Sequence, residues 1–287
     1  MKFSHERSVL RSAREYGRGI AGGLMFSLPL LYTMEVWWAG FILHPGRILL
    51  YMACTFVLLF LYNRFAGLRR DASLIEVAID SVEEMGIGLL IAAAVLWFTA
   101  RIGPGIQLSE TAGKIAVEGM TVAIGVSVGT AQLGAEDDGD EGLVGDDGPA
   151  ASGYLPQAAI ALCGAVLFAA NMAPTEEIQV IAMESRPVMI LILALCSLAL
   201  GGLVLHFAEL RGANLYVPRD TWLLSTRGVV TTYAIALVAG AGCLFFFGQF
   251  DGQPWRMMLA QTVVIGVPAV LGASAGRLLL QVRPPGN

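Results

Sequence analysis

The sequence predicts an all-α membrane protein, a polytopic bundle of about eight transmembrane helices. Of its 287 residues, 56% are hydrophobic and only 14% are charged, and the mean hydropathy is +0.67. Soluble domains carry a charge on roughly a quarter of their residues. The apolar residues also fall in long runs that match the thickness of a bilayer. The lipid bilayer is therefore the expected surroundings of most of the chain.

Eight apolar segments are long enough, or nearly so, to cross the hydrocarbon as helices, which takes about 20 residues. Helices are expected because backbone groups must be paired inside lipid, and the alternating pattern of a β-barrel is absent. The fourth segment opens with Lys114 and Glu118, spaced to pair with each other, and the fifth contains Pro156. Whether these two segments cross fully stays open. The segments are residues 18–43, 48–63, 74–100, 112–132, 155–173, 187–208, 228–249 and 256–280.

These spans divide the chain into four parts. Residues 1–17 form a basic amino-terminal segment, residues 18–132 hold transmembrane helices 1–4, and residues 155–281 hold helices 5–8. The stretch 133–154 is rich in Gly and Asp and predicts a solvated acidic loop. This loop explains the net charge of −5, so the acidity indicates no basic partner, and nucleic-acid binding is not expected.

The positions of Lys and Arg predict that both termini are cytoplasmic. With the amino terminus inside, 13 of the 18 Lys and Arg residues lie on the cytoplasmic side, as the positive-inside bias requires. Residues 63–73, 132–154 and 209–227 are then cytoplasmic. Residues 44–47, 101–111 and 250–255 are outside.

Carboxylates within or beside the spans are the main functional lead. A charge at the bilayer centre costs at least a few kcal/mol and usually faces a cavity or a partner. Glu35 follows Pro29 by six residues in the first span, where a proline can open the helix. The alternative is that Glu35, close to Trp37, simply reaches the outer headgroups.

A carboxylate stripe is predicted on the third helix, which four acidic residues share at spacings i, i+4, i+7 and i+8. Such a stripe attracts cations, and closely spaced carboxylates can hold a proton. The alternative is a wet surface at the edge of the headgroup layer. The four residues are Glu76, Asp80, Glu83 and Glu84.

A second acidic cluster, Glu176, Glu177 and Glu184, precedes the sixth span and is predicted on the opposite side of the membrane. Two acidic vestibules on opposite sides suit a cation or proton pathway. The alternative is a set of ordinary interfacial ion pairs with Arg186.

Motifs of catalysis and cofactor binding are absent from the sequence. It contains no HExxH, Walker A loop, GxSxG or dinucleotide fingerprint, and its histidines and cysteines lack metal-ligand spacing. The acidic loop lacks the glycine of a calcium loop. We therefore expect no enzyme, no cofactor and no metal site.

Two patterns concern helix packing. Residues 75–94 align with residues 178–197 at an offset of 103, which would give an inverted 3+3 repeat plus two helices, as in many secondary transporters. GxxxG pairs at Gly19 and Gly23, Gly125 and Gly129, and Gly272 and Gly276 predict close helix packing. Whether these contacts lie within one chain or join a homo-oligomer stays open.

Three segments, MEVWWAGF, VEEMGIGLL and NMAPTEEIQVIA, resemble a family of bacterial integral membrane proteins of unassigned function. The resemblance covers most of the chain. It implies a multi-pass location in the bacterial inner membrane, and it implies no activity.

The leading interpretation is a cation-coupled or proton-coupled transporter or channel, because of the two acidic clusters and Glu35. The alternative is a non-catalytic membrane sensor or assembly module that acts through its acidic cytoplasmic loop.

Overall fold

A computed structural model describes residues 9–66, 72–134, 154–210 and 222–279. Within these ranges every regular element is an α-helix. Seven helices are long and apolar enough to cross a bilayer alone, and α1 and α2 reach the required length only together, which gives up to eight spans. The prediction of an all-α bundle with about eight spans is therefore confirmed. The helices are α1 (Val9–Leu31), α2 (Met34–Ile42), α3 (Pro45–Ala66), α4 (Leu74–Phe98), α5 (Leu108–Gly134), α6 (Tyr154–Met172), α7 (Glu177–Glu184), α8 (Pro187–Leu210), α9 (Trp222–Phe246) and α10 (Trp255–Leu279).

The first predicted span, residues 18–43, is a bent pair of helices and not one continuous helix. α1 and α2 meet at 85°. Pro29, which has no N–H, lies in the last turn of α1, and the Thr33 hydroxyl donates to its carbonyl at 2.6 Å. The Trp37 indole donates to the Leu31 carbonyl at 3.1 Å. Side chains therefore satisfy backbone groups that the break would leave unpaired in lipid.

α5 is the central helix of the amino-terminal half. Every residue from 117 to 129 is buried, and the helix packs against α1, α2, α3 and α4. Gly125 and Gly129 face Gly22 of α1, and a β-carbon on Gly22 would lie 2.3 Å from the Gly129 Cα. Only glycine allows two helix backbones to approach so closely.

α10 has the same place in the carboxy-terminal half, where it packs against α6, α8 and α9. Gly272 and Gly276 face Gly164 of α6, and a β-carbon on Gly164 would lie 2.2 Å from the Gly272 carbonyl oxygen. The third pair, Gly19 and Gly23, also faces α5. The predicted close packing is found at all three pairs, and these contacts lie within one chain. A homo-oligomer stays a prediction.

The fourth and fifth spans are continuous helices, α5 of 27 residues and α6 of 19 residues. After α6 the chain forms the eight-residue helix α7, which the sequence analysis did not separate from its surroundings. The offset of 103 would place the 25-residue α4 onto residues 177–201, which contain all of α7 and the start of α8. The inverted 3+3 repeat is therefore not confirmed.

Four connecting segments meet at one end of the bundle, which we call the loop end: residues 43–44, 99–107, 173–176 and 247–254. Arg47, in the first turn of α3, forms an ion pair with Asp251 at 2.7 Å. The Gln249 amide donates to the Pro174 carbonyl at 3.0 Å. Three of these segments are those predicted to lie outside. The loop 135–153, nearly all of 209–227 and both chain ends fall outside the described residues.

Candidate functional site

Polar side chains lie on two opposite faces of the central helix α5. Glu118 and Ser127 are nine residues apart, which places them about 180° apart around the helix and about 14 Å apart along its axis. Glu118 lies closer to the loop end. Each marks one polar site inside the bundle.

The first site joins α3, α4 and α5 around the Glu84 carboxyl. The Asn63 side-chain N–H donates to Glu84 Oε2 at 2.7 Å and to the Ser81 hydroxyl at 3.2 Å. The Ser127 hydroxyl donates to Asn63 Oδ1 at 2.9 Å. This last bond fixes the amide so that its N–H groups face the carboxyl. Asn63, Ser81 and Ser127 are buried and Glu84 is half-buried.

The second site is the Glu118 carboxyl, which is 0% exposed. Neither of its oxygens has a hydrogen bond of ordinary geometry to any described residue. The Trp37 side chain is close enough to the carboxyl to act as a donor to it, but the indole N–H already donates to the Leu31 carbonyl. A buried carboxyl without donors is rare, because burying a polar group without compensation costs several kcal/mol.

Lys114 does not pair with Glu118, contrary to what the i,i+4 spacing allowed. Its ammonium donates to Glu110 Oε1 at 2.5 Å and to the Arg101 carbonyl at 3.1 Å. Helix side chains lean toward the amino terminus, which on α5 is the loop end, so the lysine extends toward the interface. It also lies 5.6 Å from the ring centre of Phe41. Glu118 is therefore left without its predicted cation.

The polar face continues inward from Glu118 to Thr121, one helical turn away. The Thr121 and Tyr51 hydroxyls are 2.6 Å apart. The Ser27 hydroxyl donates to the Thr121 carbonyl at 3.2 Å. These buried bonds join α1, α3 and α5 at mid-depth and fix the helix that carries Glu118.

A family model described as "Putative integral membrane protein (DUF2391)" matches residues 15–280. The chain belongs to the DUF2391 family. This confirms the resemblance that the three quoted segments predicted. No curated protein and no solved structure matches the chain. The description of the DUF2391 family gives membrane location and no activity.

The four residues of the predicted stripe on α4 differ in their exposure. Glu76 is exposed and forms a capping box with Ser73, in which the Ser73 N–H donates to Glu76 Oε2 at 2.7 Å. Glu83 is exposed and Asp80 is half-buried. Glu84 is the residue of the stripe that bonds to Asn63. The stripe therefore leads from the start of α4 to the Glu84 site.

The other predicted carboxylates lie near the loop end, away from Glu84. Glu35 is half-buried in the first turn of α2, beyond the bend. Glu176 and Glu177 are exposed at the start of α7, and Glu184 is exposed at its end. A backbone N–H at the helix start and the Thr175 hydroxyl lower the pKa of Glu177. In the described part of the chain no three acidic, His or Cys side chains are placed to hold a metal ion.

Sequence reasoning missed Glu118, Asn63 and Ser127 as site residues. Glu118 was assigned to a pair with Lys114, and the direction of a lysine side chain cannot be read from spacing. Asn63 was placed at the last position of a span that ends at residue 63, but α3 continues to Ala66. A polar residue within an apolar run was the available signal in both cases.

Proposed function

We propose that this protein is a cation-coupled or proton-coupled transporter or channel whose pathway passes the carboxyl groups of Glu84 and Glu118. The observation that supports it most is the fully buried Glu118, whose carboxyl oxygens have no hydrogen bond of ordinary geometry to the residues that the structure describes. A bare carboxylate in that place would be very costly, so the group needs a proton or a cation. A carboxyl that binds and releases such an ion is the functional element of many pumps and transporters.

Glu84 supports the same proposal at a different depth. The exposed Glu76 and Glu83 and the half-buried Asp80 form an acidic approach along α4, which favours cations at the start of this helix. At the end of that approach Glu84 is held by the Asn63 amide. A fixed donor orients the carboxyl without neutralising it, so one oxygen can exchange a proton or contact a cation.

The membrane setting belongs to the same proposal. The protein lies in a bacterial inner membrane with both termini in the cytoplasm, the loop end faces outward, and no catalytic step is involved. Glu118 then receives ions from outside, past Glu110 and Lys114. Glu84 receives them from the cytoplasm.

Carboxyl infrared spectroscopy of the purified protein tests whether these groups hold protons. We expect a protonated carboxyl band above pH 6 that is lost in Glu118→Gln or Glu84→Gln. The exposed Glu83→Gln is the control on the same helix as Glu84 and should leave the band unchanged. If neither buried variant changes the band at any pH, and added Na⁺ or K⁺ shifts no carboxylate band, the proposal is wrong.

A further inference from the structure

We infer that the chain is a tandem duplication of a five-helix unit, in which only the first unit keeps ionisable side chains inside the membrane. Unit 1 is α1–α5 and unit 2 is α6–α10. Each consists of a long helix, a break, a short helix and three long helices. Pro45 and Pro187 begin α3 and α8, 142 residues apart, and α4 and α9 both contain 25 residues. The functional meaning of the ionisable side chains in unit 1 rests on the proposed function.

Equivalent helices make equivalent contacts. In unit 1 the first and last helices touch through Gly22, Gly125 and Gly129, and in unit 2 they touch through three glycines at matching positions. The partner of Gly22 lies 142 residues later, and those of Gly125 and Gly129 lie 147 residues later. These partners are Gly164, Gly272 and Gly276.

One side-chain contact is repeated atom for atom between the last two helices of each unit. A β-carbon on Gly119 would lie 2.7 Å from Leu89 Cδ2, and a β-carbon on Gly266 would lie 2.9 Å from Leu237 Cδ2. Gly119 and Gly266 are 147 residues apart, and Leu89 and Leu237 are 148 apart. The starts of α4 and α9 are likewise 148 residues apart, and the starts of α5 and α10 are 147 residues apart.

The backbone of the connecting loops repeats as well. Four of the described residues have a positive φ, and they form two pairs at equivalent positions of the two units. Ala100 (φ 56°) matches Gly248 (φ 77°) at a shift of 148, and Gly105 (φ 94°) matches Gly252 (φ 71°) at a shift of 147. The second loop is therefore one residue shorter, between these two positions. Unrelated loops have no reason to share rare conformations at matching positions.

The breaks before the short helices also match. The hydroxyls of Thr33 and Thr175, 142 residues apart, each donate to a carbonyl in the preceding turn, at 2.6 and 2.9 Å. Glu35 and Glu177, also 142 apart, lie in the first turn of α2 and α7. The functional difference between the units therefore cannot lie in these two glutamates.

With α1 and α2 counted together as one span, each unit has four spans: α1–α2, α3, α4 and α5 in unit 1, and α6, α8, α9 and α10 in unit 2. An even number returns the chain to its starting side, so the two units have the same orientation. Such repeats are related by an axis along the membrane normal, in contrast to an inverted repeat.

The two units differ in charge inside the membrane. The spans of unit 2 carry Arg227 and Arg256 at their ends and no other Asp, Glu, Lys or Arg. Three ionisable residues of unit 1 have neutral equivalents in unit 2. Glu84 corresponds to Thr232, Lys114 to Gln261 and Glu118 to Ile265. Unit 2 thus keeps the packing of the site without its ion-binding groups.

The residue beside position 118 also differs between the units: it is smaller in unit 2, where the β-branched Ile265 replaces Glu118. Ile265 is fully buried, and a β-carbon on Gly240 would lie 2.6 Å from its Cγ2. The residue equivalent to Gly240 in unit 1 is Ala92, which is also fully buried. If the units are equivalent, an isoleucine at position 118 collides with the β-carbon of Ala92 and fits once that carbon is removed.

Melting temperatures of purified variants in detergent test this equivalence. Ala92→Gly should lower the melting temperature of the wild type, because it adds a helix-interior glycine and a small void. In the Glu118→Ile background the same change should raise it by several degrees. In the Glu118→Gln background, which has no branched β-carbon, it should again lower it.

A lowered melting temperature in all three backgrounds would overturn the duplication. Failure to purify both Glu118→Ile and Ala92→Gly/Glu118→Ile would overturn it as well, whereas rescue of the first by the second supports it.

Ion flux is a separate readout. Loss of flux in the stable double variant, with normal flux in Gln261→Leu, places the ion site in unit 1. Normal flux in the double variant would refute that placement and leave the duplication intact.

Discussion

Gly22 of α1 and Gly129 of α5 face each other so closely that a β-carbon on either would lie 2.2 to 2.3 Å from the other's Cα. No rotation of a side chain can relieve such a contact, because both partners are backbone atoms. The helices would have to separate, and α5 is enclosed by α2, α3 and α4 on its other sides. This contact therefore holds the helix that carries Glu118 in place.

Gly22→Ala should destabilise the protein by about 1–3 kcal/mol, through overpacking of the α1–α5 contact. Gly86→Ala on α4 is the matched control, since its β-carbon would meet nothing within 4 Å. Alanine favours helix by up to about 1 kcal/mol over glycine, so the control should be neutral or stabilising. Thermal unfolding in detergent gives both values, and equal effects would argue against the close contact.

The Asn63 amide should be more important for stability than the hydroxyl beside it. Asn63→Ala leaves Glu84 and Ser127 without their shared partner, which should cost about 1–3 kcal/mol. Ser81→Ala should cost less, because the Ser81 hydroxyl donates to the Val77 carbonyl of its own helix. Denaturation of the two variants in one detergent gives the comparison. A larger loss in Ser81→Ala would contradict the network.

The Arg47–Asp251 ion pair should make the loop end sensitive to acid. The Arg47 guanidinium lowers the pKa of Asp251 below its ordinary value. The pair therefore stabilises the fold above the unfolded-state pKa and ceases to do so as the pH falls through the lowered folded-state pKa. Both groups are partly exposed, so the effect is at most about 1 kcal/mol. The melting temperature of Asp251→Asn should depend less on pH below 5 than that of the wild type.

The orientation predicted from Lys and Arg can be tested at the loop end. Ser109 and Arg256 are exposed at the starts of α5 and α10. In a variant without the native cysteines, Ser109→Cys and Arg256→Cys should both react with an impermeant maleimide from outside the cell. Reaction of both from the cytoplasmic side would reverse the orientation. Reaction from opposite sides would contradict the shared loop end.

Apolar run length was enough to predict the number and positions of the spans, because the bilayer imposes that length on any helix. It could not predict the bend before Thr33 or the separate helix α7, since run length carries no information on the local breaks, where the Thr33 and Thr175 hydroxyls donate to carbonyls of the preceding turn. The four acidic residues of the predicted stripe all lie on α4, but spacing could not show that Glu84 bonds to the buried Asn63. Glu118 was missed because the direction taken by Lys114 depends on Glu110 and the Arg101 carbonyl.

Ion flux into proteoliposomes is the measurement that tests the central claim most directly. Protein reconstituted with a pH-sensitive dye, and separately with tracer Na⁺ or K⁺, should carry protons or one of these cations down an imposed gradient. Glu118→Gln and Glu84→Gln should each reduce the initial rate at least tenfold, whereas Glu184→Gln, an exposed residue at the end of α7, should leave it unchanged. Flux in both buried variants equal to that of the wild type, or no flux above protein-free vesicles for any of these ions, would contradict the account.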